Sequence, residues 1–311
     1  MSVRFDDIGN RLRAFRLGSG LSAEEIARRA GISRTALYRF EKGEVVKIDT
    51  LEKLAELLQV SITTLLGVGI EYIASAVSYF ERMRQIEERA EHIVVLAGPI
   101  SFLLASDSFE KMLETTLRES IPEDLENRDR ALDDVARILN VLRERKISYR
   151  QRRPSIVNMM SALEMERFVR SGMVGHYNLP EAELHERRMI ARAEIGHFAK
   201  LLENEPIGIQ IGIVAETLPQ SGFQIFRQPE REILTVSPFR LGEHPNIRVG
   251  VAMVTSAPEA LALHHKVVDE MWKGAMKGSN ASRFLRDLLE RTQPRPVLAE
   301  ASAPTALRRT R

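Results

Sequence analysis

The chain has 311 residues, and its 45 lysines and arginines nearly balance its 43 aspartates and glutamates, so the net charge is only +2. It contains no cysteine, which excludes disulfides, zinc ribbons and thiol catalysis. No stretch approaches the ~20 continuous apolar residues of a membrane span, and the N-terminus lacks the apolar core of a signal peptide. We therefore expect a soluble, cytoplasmic protein that does not contact a membrane and is long enough for two domains.

Residues 21–43 predict two helices joined by a tight turn. Ser22 precedes the first helix, and Glu25 follows it at the spacing of a capping box. Gly31 supplies the turn, because glycine adopts the left-handed conformation that ends a helix without steric cost. Ser33 is the expected cap of the second helix. This arrangement is typical of a helix-turn-helix, whose second helix enters the major groove of DNA.

Residues 7–67 resemble the Xre family of DNA-binding domains, the type of the phage lambda repressor and Cro. The resemblance rests on the order and spacing of Ile8, Leu12, Arg13, Leu21, Glu25, Ala27, Gly31, Ser33, Leu37, Glu41, Gly43, Leu51, Leu54, Ala55, Leu58 and Val60. It implies a domain of five helices that binds double-stranded operator DNA. The family often has glutamine at the start of its second helix, where it supports phosphate contacts, and this chain has Ala23 there. An Xre-type fold used only for protein contacts is the alternative.

The second helix of this motif carries a local positive charge. Residues 28–42 hold five basic side chains and one acidic one, although the whole chain is almost neutral. A local basic patch is typical of a surface that binds a polyanion. The predicted DNA-binding residues are Ser33 at the helix start, Arg34, Thr35, Tyr38 and Arg39 at base edges, and Arg28, Lys42 and Lys47 at phosphates.

The pattern changes after residue 69. Apolar residues three or four apart predict a helical connector over 70–91, which packs within the chain or against a partner subunit. Beyond it, alternating helical and strand-like segments predict an α/β domain with a mixed sheet over 92–290. The first predicted strand begins at 92, and the second lies at the start of 146–155, where it runs into a basic loop. Further strands are predicted over 207–216, 222–227, 231–239 and 247–255, and helices over 107–119, 128–145, 156–171, 180–203 and 258–290. Residues 291–311 are predicted to be a disordered basic tail.

Two segments of this α/β domain are similar to phospholipase D-like domains: residues 89–103 to their first strand, and residues 254–276 to their closing strand and helix. Some regulators, the sugar-sensing TrmB type among them, use such a domain without catalysis to bind a small effector. Catalysis requires a His-x-Lys pattern followed by an aspartate. His264 and Lys266 supply the first part, but Met271 stands where the aspartate is required. We therefore expect no enzymatic activity, no cofactor and no metal site, and interpret this segment as a solvated helix face.

In open sheets, ligands bind beyond the carboxyl ends of the strands. This rule selects three groups of effector-binding candidates, each beyond a predicted strand. They are Gly98, Pro99 and Ser101; Tyr149, Arg150, Arg152 and Arg153; and Arg240 and His244. Guanidinium groups offer a planar fork to carboxylate or phosphate, so the predicted effector is a small anion. A basic surface loop is the alternative interpretation.

The sequence as a whole predicts a multi-domain transcriptional regulator. An all-α helix-turn-helix head over 1–69 reads operator DNA, and the α/β domain binds the effector and dimerises. A homodimer is expected because specific affinity generally takes two half-sites. The alternatives are a DNA-binding protein fused to a phosphoesterase-like hydrolase, and an antitoxin-like regulator that binds another protein.

Overall fold

The computed structural model describes residues 4–96, 98–176, 178–215, 219 and 222–293. The chain begins with five helices, as predicted: α1 (Phe5–Ser19), α2 (Ala23–Ala30), α3 (Arg34–Glu41), α4 (Ile48–Leu57) and α5 (Ile62–Leu66). We call residues 4–67 the head. Its interior is built from fully buried aliphatic side chains, including Leu12, Ile26, Leu37, Leu54 and Leu65.

The predicted caps of the head are confirmed. The backbone N–H of Glu25 donates to the Ser22 hydroxyl over 3.1 Å, and that of Ala36 donates to the Ser33 hydroxyl over 3.0 Å. Gly31 has a φ of 72° and directs its N–H toward the carbonyls of α2. Local signals therefore determine where α2 ends and α3 begins, which fixes the face that α3 presents to solvent.

The remaining elements form the α/β part. They are β1 (Ile70–Ile73), α6 (Ala76–Glu87), β2 (His92–Leu96), α7 (Asp107–Glu119), α8 (Arg128–Arg152), β3 (Ser155–Ser161), α9 (Ala162–Ser171), α10 (Glu181–Asn204), β4 (Ile209–Val214), β5 (Gly222–Arg227), β6 (Glu232–Ser237), β7 (Ala252–Thr255), α11 (Pro258–Gly274) and α12 (Gly278–Arg291). The strands form one sheet in the order β1-β7-β6-β5-β2-β3-β4. β2, β3 and β4 are parallel neighbours and the other pairs are antiparallel. The predicted fold class, a helical head plus a mixed-sheet α/β part, is confirmed.

The sheet has two apolar faces, because side chains alternate along each strand. Ile93 and Val95 of β2 point into a large core that α6 shares with the buried residues of the head. Val94 and Leu96 point to the opposite face, where they join a smaller core with α11. The head therefore packs into the same core as one face of the sheet. No helix of the described residues combines the length and the apolar character needed to cross a bilayer.

The prediction of one helix over 70–91 is wrong at its start. Residues Ile70–Ile73 form an edge strand that pairs antiparallel with β7, and their side chains alternate between exposed and buried. β-Branched and aromatic residues are enriched in such strands. Over so short a segment, the spacing of the apolar residues fits the helical period of about 3.6 residues as well as the strand period of about 2. The helix begins only after Ser75, which caps it. Every residue of α6 except Arg84 is buried, so α6 is an interior helix rather than a connector.

The predicted strand over 146–155 is also wrong. Helix α8 continues through Arg152, and the strand begins at Ser155. Pro154 explains the boundary, because a proline disfavours the helical conformation in the residue before it, and Arg153 has a φ of 48°. The predicted helix over 156–171 is accordingly a strand as far as Ser161, whose hydroxyl then caps α9.

The predicted helix over 258–290 is two helices, α11 and α12. They are separated at 275–277, where Met276 pairs with Ile213 in an isolated antiparallel bridge. The predicted tail begins within the structure, since Arg291 ends α12, but residues 294–311 lie outside the described residues.

A buried ion cluster joins the head to the α/β part. Glu71 of β1 accepts hydrogen bonds from Arg11 of α1 at 2.5 Å and from Arg82 of α6 at 3.0 Å. We call these three residues the Arg-Glu-Arg triad. Each side chain is about 5% exposed. Burial on its own would raise the pKa of Glu71, but the two guanidinium groups lower it below its ordinary value. The carboxylate is therefore charged, and the triad carries an excess positive charge.

We predict that Glu71→Gln strongly destabilises the protein. The substitution leaves two buried arginines without a counter-ion, and breaking a buried ion pair on one side costs about 3–5 kcal/mol. Urea unfolding followed by circular dichroism measures the loss. The matched control is Glu230→Gln, which removes a surface partner of Arg4 and should cost at most about 1 kcal/mol. Equally small losses in both variants would contradict the structural importance of the triad.

Candidate nucleic-acid interface

Helix α3 presents its polar side to solvent because its apolar side is held by α1. Leu37 is fully buried, whereas Arg34, Thr35 and Arg39 are exposed. The two helices cross so closely that a Cβ on Gly9 of α1 would lie 2.5 Å from a carbonyl oxygen of α3. Arg16 of α1 also donates a hydrogen bond of 2.9 Å to Glu41 at the end of α3. The orientation of the predicted reading face thus depends on α1.

Arg34 and Tyr38 form one unit on the outer face of α3. The Arg34 guanidinium lies 5.4 Å from the centre of the Tyr38 ring, and its Nε and Nη2 atoms are 3.3 Å from the phenolic oxygen. This hydrogen bond raises the pKa of Arg34. Stacking on an aromatic ring restricts a long, flexible side chain at little energetic cost. Arg34 is therefore held along α3 near the helix start, where a groove-binding helix contacts base edges.

Two of the three predicted DNA-binding arginines, Arg28 and Arg39, are paired with carboxylates of the head. The Nε atom of Arg39 lies 2.7 Å from both carboxylate oxygens of Glu44, and the hydrogen bond raises the pKa of Arg39 and lowers that of Glu44. Glu25 accepts hydrogen bonds from both Arg28 and Arg29, and those of Arg28 contribute most to the lowering of its pKa. These exposed pairs are weak. DNA phosphates or bases can replace the carboxylates as partners.

The other predicted DNA-binding residues lie around α3. Ser33 uses its hydroxyl to cap the helix, Lys42 follows the last turn of α3, and Lys47 precedes α4. The sequence analysis missed part of this surface. Arg13 and Arg16 of α1 line a concavity of about 350 Å³ together with Tyr38, Glu41 and Lys42. Arg13 belonged to the Xre resemblance, but no local pattern shows that α1 meets α3 at this point.

Residues 7–66 match a family model described as a helix-turn-helix domain. The head is a helix-turn-helix domain. The match and the exposed polar face of α3 support DNA as its partner. No curated protein matches the chain.

Among solved structures, the chain is similar to one titled as the structure of TrmBL2, an archaeal chromatin protein that shows a novel mode of DNA binding. The identity is 13%, the alignment covers 86% of this chain and 92% of that chain, and the TM-score is 0.31. At this TM-score the two chains do not superpose well as whole molecules, and nothing about this chain follows from the likeness.

The structure does not bring the predicted effector-binding residues together. Ser101 follows the carboxyl end of β2 and is buried, and Arg240 and His244 follow the carboxyl end of β6 at the same edge of the sheet. Pro99 belongs to this group, because a Cβ on Gly242 would lie 3.9 Å from its ring. Arg240 pairs with Asn246 in an isolated bridge, and the backbone N–H of His244 donates to the carbonyl of Val174 over 3.0 Å.

The second group lies at the opposite edge of the sheet. Tyr149, Arg150 and Arg152 are in the last turns of α8, and Arg153 is its C-cap, just before the first residue of β3. The segment 146–155 is helical, so the rule about carboxyl ends of strands does not apply to it. Burial raises the pKa of Tyr149 to about 12, and Arg150 pairs with Asp107 over 2.5 Å. The predicted residues therefore lie in two groups at opposite edges of the sheet, and effector binding by either group stays a prediction.

The His-x-Lys segment is helical, as predicted, and lies on α11. Only part of it is exposed to solvent. Lys266 is exposed, but His264 and His265 are half-buried against the sheet. His264 shares a hydrogen bond of 2.8 Å with the carbonyl of Ala260 and contacts the ring of Phe223 edge-on. His265 lies 3.0 Å from Glu232 at the start of β6. The interpretation as a solvated helix face fits Lys266, whereas the two histidines are only partly exposed.

We predict that Arg34→Ala and Arg39→Ala each weaken binding to a duplex selected from random DNA by about 1–3 kcal/mol, because a good base contact has this value. Binding to a scrambled duplex should change little. The matched variant is Lys42→Ala, which should weaken binding to both duplexes alike and reduce the salt dependence, because its predicted partner is a phosphate. Fluorescence anisotropy over a range of salt concentrations measures all of these affinities. Equal losses on both duplexes for the arginine variants would show that they do not read bases.

A second variant tests the pairing of Arg39 with Glu44. We predict that Glu44→Gln strengthens DNA binding a few-fold, because it removes a negative charge from the surface and releases the guanidinium of Arg39. The same anisotropy titration measures the gain. Glu56→Gln makes the same charge change on α4 and serves as the control. If the two variants bind DNA equally well, then Arg39 does not exchange Glu44 for DNA.

Proposed function

We propose that the protein is a sequence-specific transcriptional regulator with an Xre-type head, whose α/β part binds a small effector that modulates operator binding. One observation carries this proposal: the polar face of α3 is exposed while the head is packed against the α/β part. We call this arrangement the docked head. Thr35 and Arg39 face solvent, although α1 packs against α6 and shares the triad with the α/β part. The reading face is thus accessible without any release of the head.

The distribution of charge supports this function. The net charge of the whole chain is only +2, yet exposed basic side chains flank α3 in the sequence, with Arg28 before it and Lys42 and Lys47 after it. Such a patch attracts the phosphate backbone and fixes the register of the domain, while base contacts from α3 give the specificity.

A homodimer is part of the proposal. One helix-turn-helix buries a small area on DNA, and specific affinities of about 10⁻⁸ M or tighter generally take two half-sites about 34 Å apart. Two copies related by a two-fold axis would place two α3 helices in successive major grooves. The operator would then be an inverted repeat.

A hydrolase fused to a DNA-binding head is not favoured. The ring of His264 is engaged by the carbonyl of Ala260 and by Phe223. Met271, at the position that requires an aspartate, packs against the smaller core of the sheet. These placements argue against a phospholipase D-type catalytic role for the α/β part, in line with the predicted likeness to inactive phospholipase D-like domains.

The test is selection of bound duplexes from a random library, followed by light scattering of the free and bound protein. The proposal predicts enrichment of an inverted repeat with half-sites roughly 10 base pairs apart and a dimer in solution. With Arg34→Ala as the selecting protein, it predicts weaker enrichment and a relaxed preference at one position of each half-site. Recovery of unrelated sequences would contradict sequence-specific binding. A monomer both free and on the selected duplex would contradict the dimer.

A further inference from the structure

A cleft of about 1010 Å³ lies between the head and the sheet. Its walls come from α1, from the residues that join α5 to β1, and from the turn between β5 and β6. Its volume lies at the upper end of the usual range for small-molecule sites, about 300–1,000 Å³. The position matters because the walls belong to both the head and the α/β part, so a molecule in the cleft can contact both at once.

The walls of the cleft are unusually rich in arginine. Four carboxylates line it, Asp7, Glu71, Glu88 and Glu230, against six guanidinium groups, those of Arg4, Arg11, Arg82, Arg89, Arg152 and Arg231. The lining therefore has an excess of two positive charges. A cleft with a net positive lining attracts ligands of negative charge.

Part of the positive charge in the cleft is buried. The triad places two buried guanidinium groups on one carboxylate, Glu71. Asp7 of α1 is likewise shared by two guanidinium groups, those of Arg231 at 3.1 Å and Arg89 at 3.7 Å. Two of the four carboxylates thus each face two cations. An anion in the cleft would supply the missing negative charge.

Arg152 adds a cation from α8. Its Nη1 atom lies 3.4 Å from the carbonyl oxygen of Glu87, which is a long contact to a neutral acceptor. A carboxylate or phosphate would be a stronger partner, because hydrogen bonds between charged groups are about twice as strong as those between neutral groups. Arg152 is also the only one of the predicted effector-binding residues among those lining this cleft.

We propose that this cleft binds a small organic anion with two or more negative charges, carried by carboxylate or phosphate groups, and that the bound anion bridges the head and the α/β part. The binding itself does not depend on the proposed function, but its effect on DNA does. Arg4 and Arg11 belong to the head, while Arg89, Arg152 and Arg231 belong to the α/β part. Such an anion contacts both sets of arginines only when the head is packed on the α/β part. It therefore binds this docked arrangement more tightly than any other, and the difference in affinity couples the cleft to the position of the head.

Calorimetric titration of the full chain at low salt tests the site, with pyrophosphate and citrate as separate probes for phosphate and carboxylate. We expect saturable binding of at least one probe. Arg152→Gln and Arg231→Gln should each weaken it about tenfold or more, because each loses a charged hydrogen bond. Arg153→Gln makes the same change one residue away, outside the cleft lining, and should bind like the unmodified chain. Arg39→Ala should do so too, which separates the cleft from the DNA surface.

The outcomes distinguish the site from the proposed function. Absence of binding by both probes, or an equal loss in Arg152→Gln and Arg153→Gln, overturns the cleft site and leaves DNA recognition untouched. When a probe binds, we expect it to change the dissociation constant of the selected duplex at least about fivefold, and the duplex to change the affinity for the probe by the same factor. If a probe binds but this reciprocal change is absent, the site is confirmed. The claims that the anion bridges the head and the α/β part and that it controls DNA binding are then overturned.

Discussion

The Arg-Glu-Arg triad is the interaction on which the rest of the structure depends. Glu71 lies between Arg11 of the head and Arg82 of α6, and all three are nearly inaccessible to water. Two desolvated guanidinium groups can stay buried only where a carboxylate compensates them. The triad therefore fixes α1 against β1 and α6, and these contacts make the head continuous with the core of the sheet.

Helix α1 connects the triad to the predicted DNA surface, because it contacts both. Arg11 on α1 lines the cleft, Arg16 pairs with Glu41 of α3, and Gly9 lets the two helices approach closely. The same helix thus contacts both the proposed anion site and the reading helix. Coupling between two sites requires an element whose position both can influence, and α1 is that element in our proposal.

The sequence predicts the head better than the rest because the signals there are local. Ser22 and Ser33 mark helix starts with their side-chain hydroxyls, and Gly31 ends α2 with its left-handed backbone. The segment 146–155, in contrast, shows an alternation that fits a strand, although α8 continues through Arg152. The cleft could not be predicted at all. Arg4, Arg89 and Arg231 are distant in the chain and line one cleft because the β5–β6 turn packs on the start of α1, where Glu230 pairs with Arg4 and Arg231 pairs with Asp7.

The most direct test of the account is a crystal structure of the full chain bound to its selected duplex. We expect α3 in the major groove, with Arg34 and Arg39 at base edges and α1 still packed on α6 through the triad. Bases read by another part of the chain would contradict the assignment of α3. A head that leaves α6 on binding DNA, with Arg11 separated from Glu71, would contradict the claim that the docked head is the DNA-reading form.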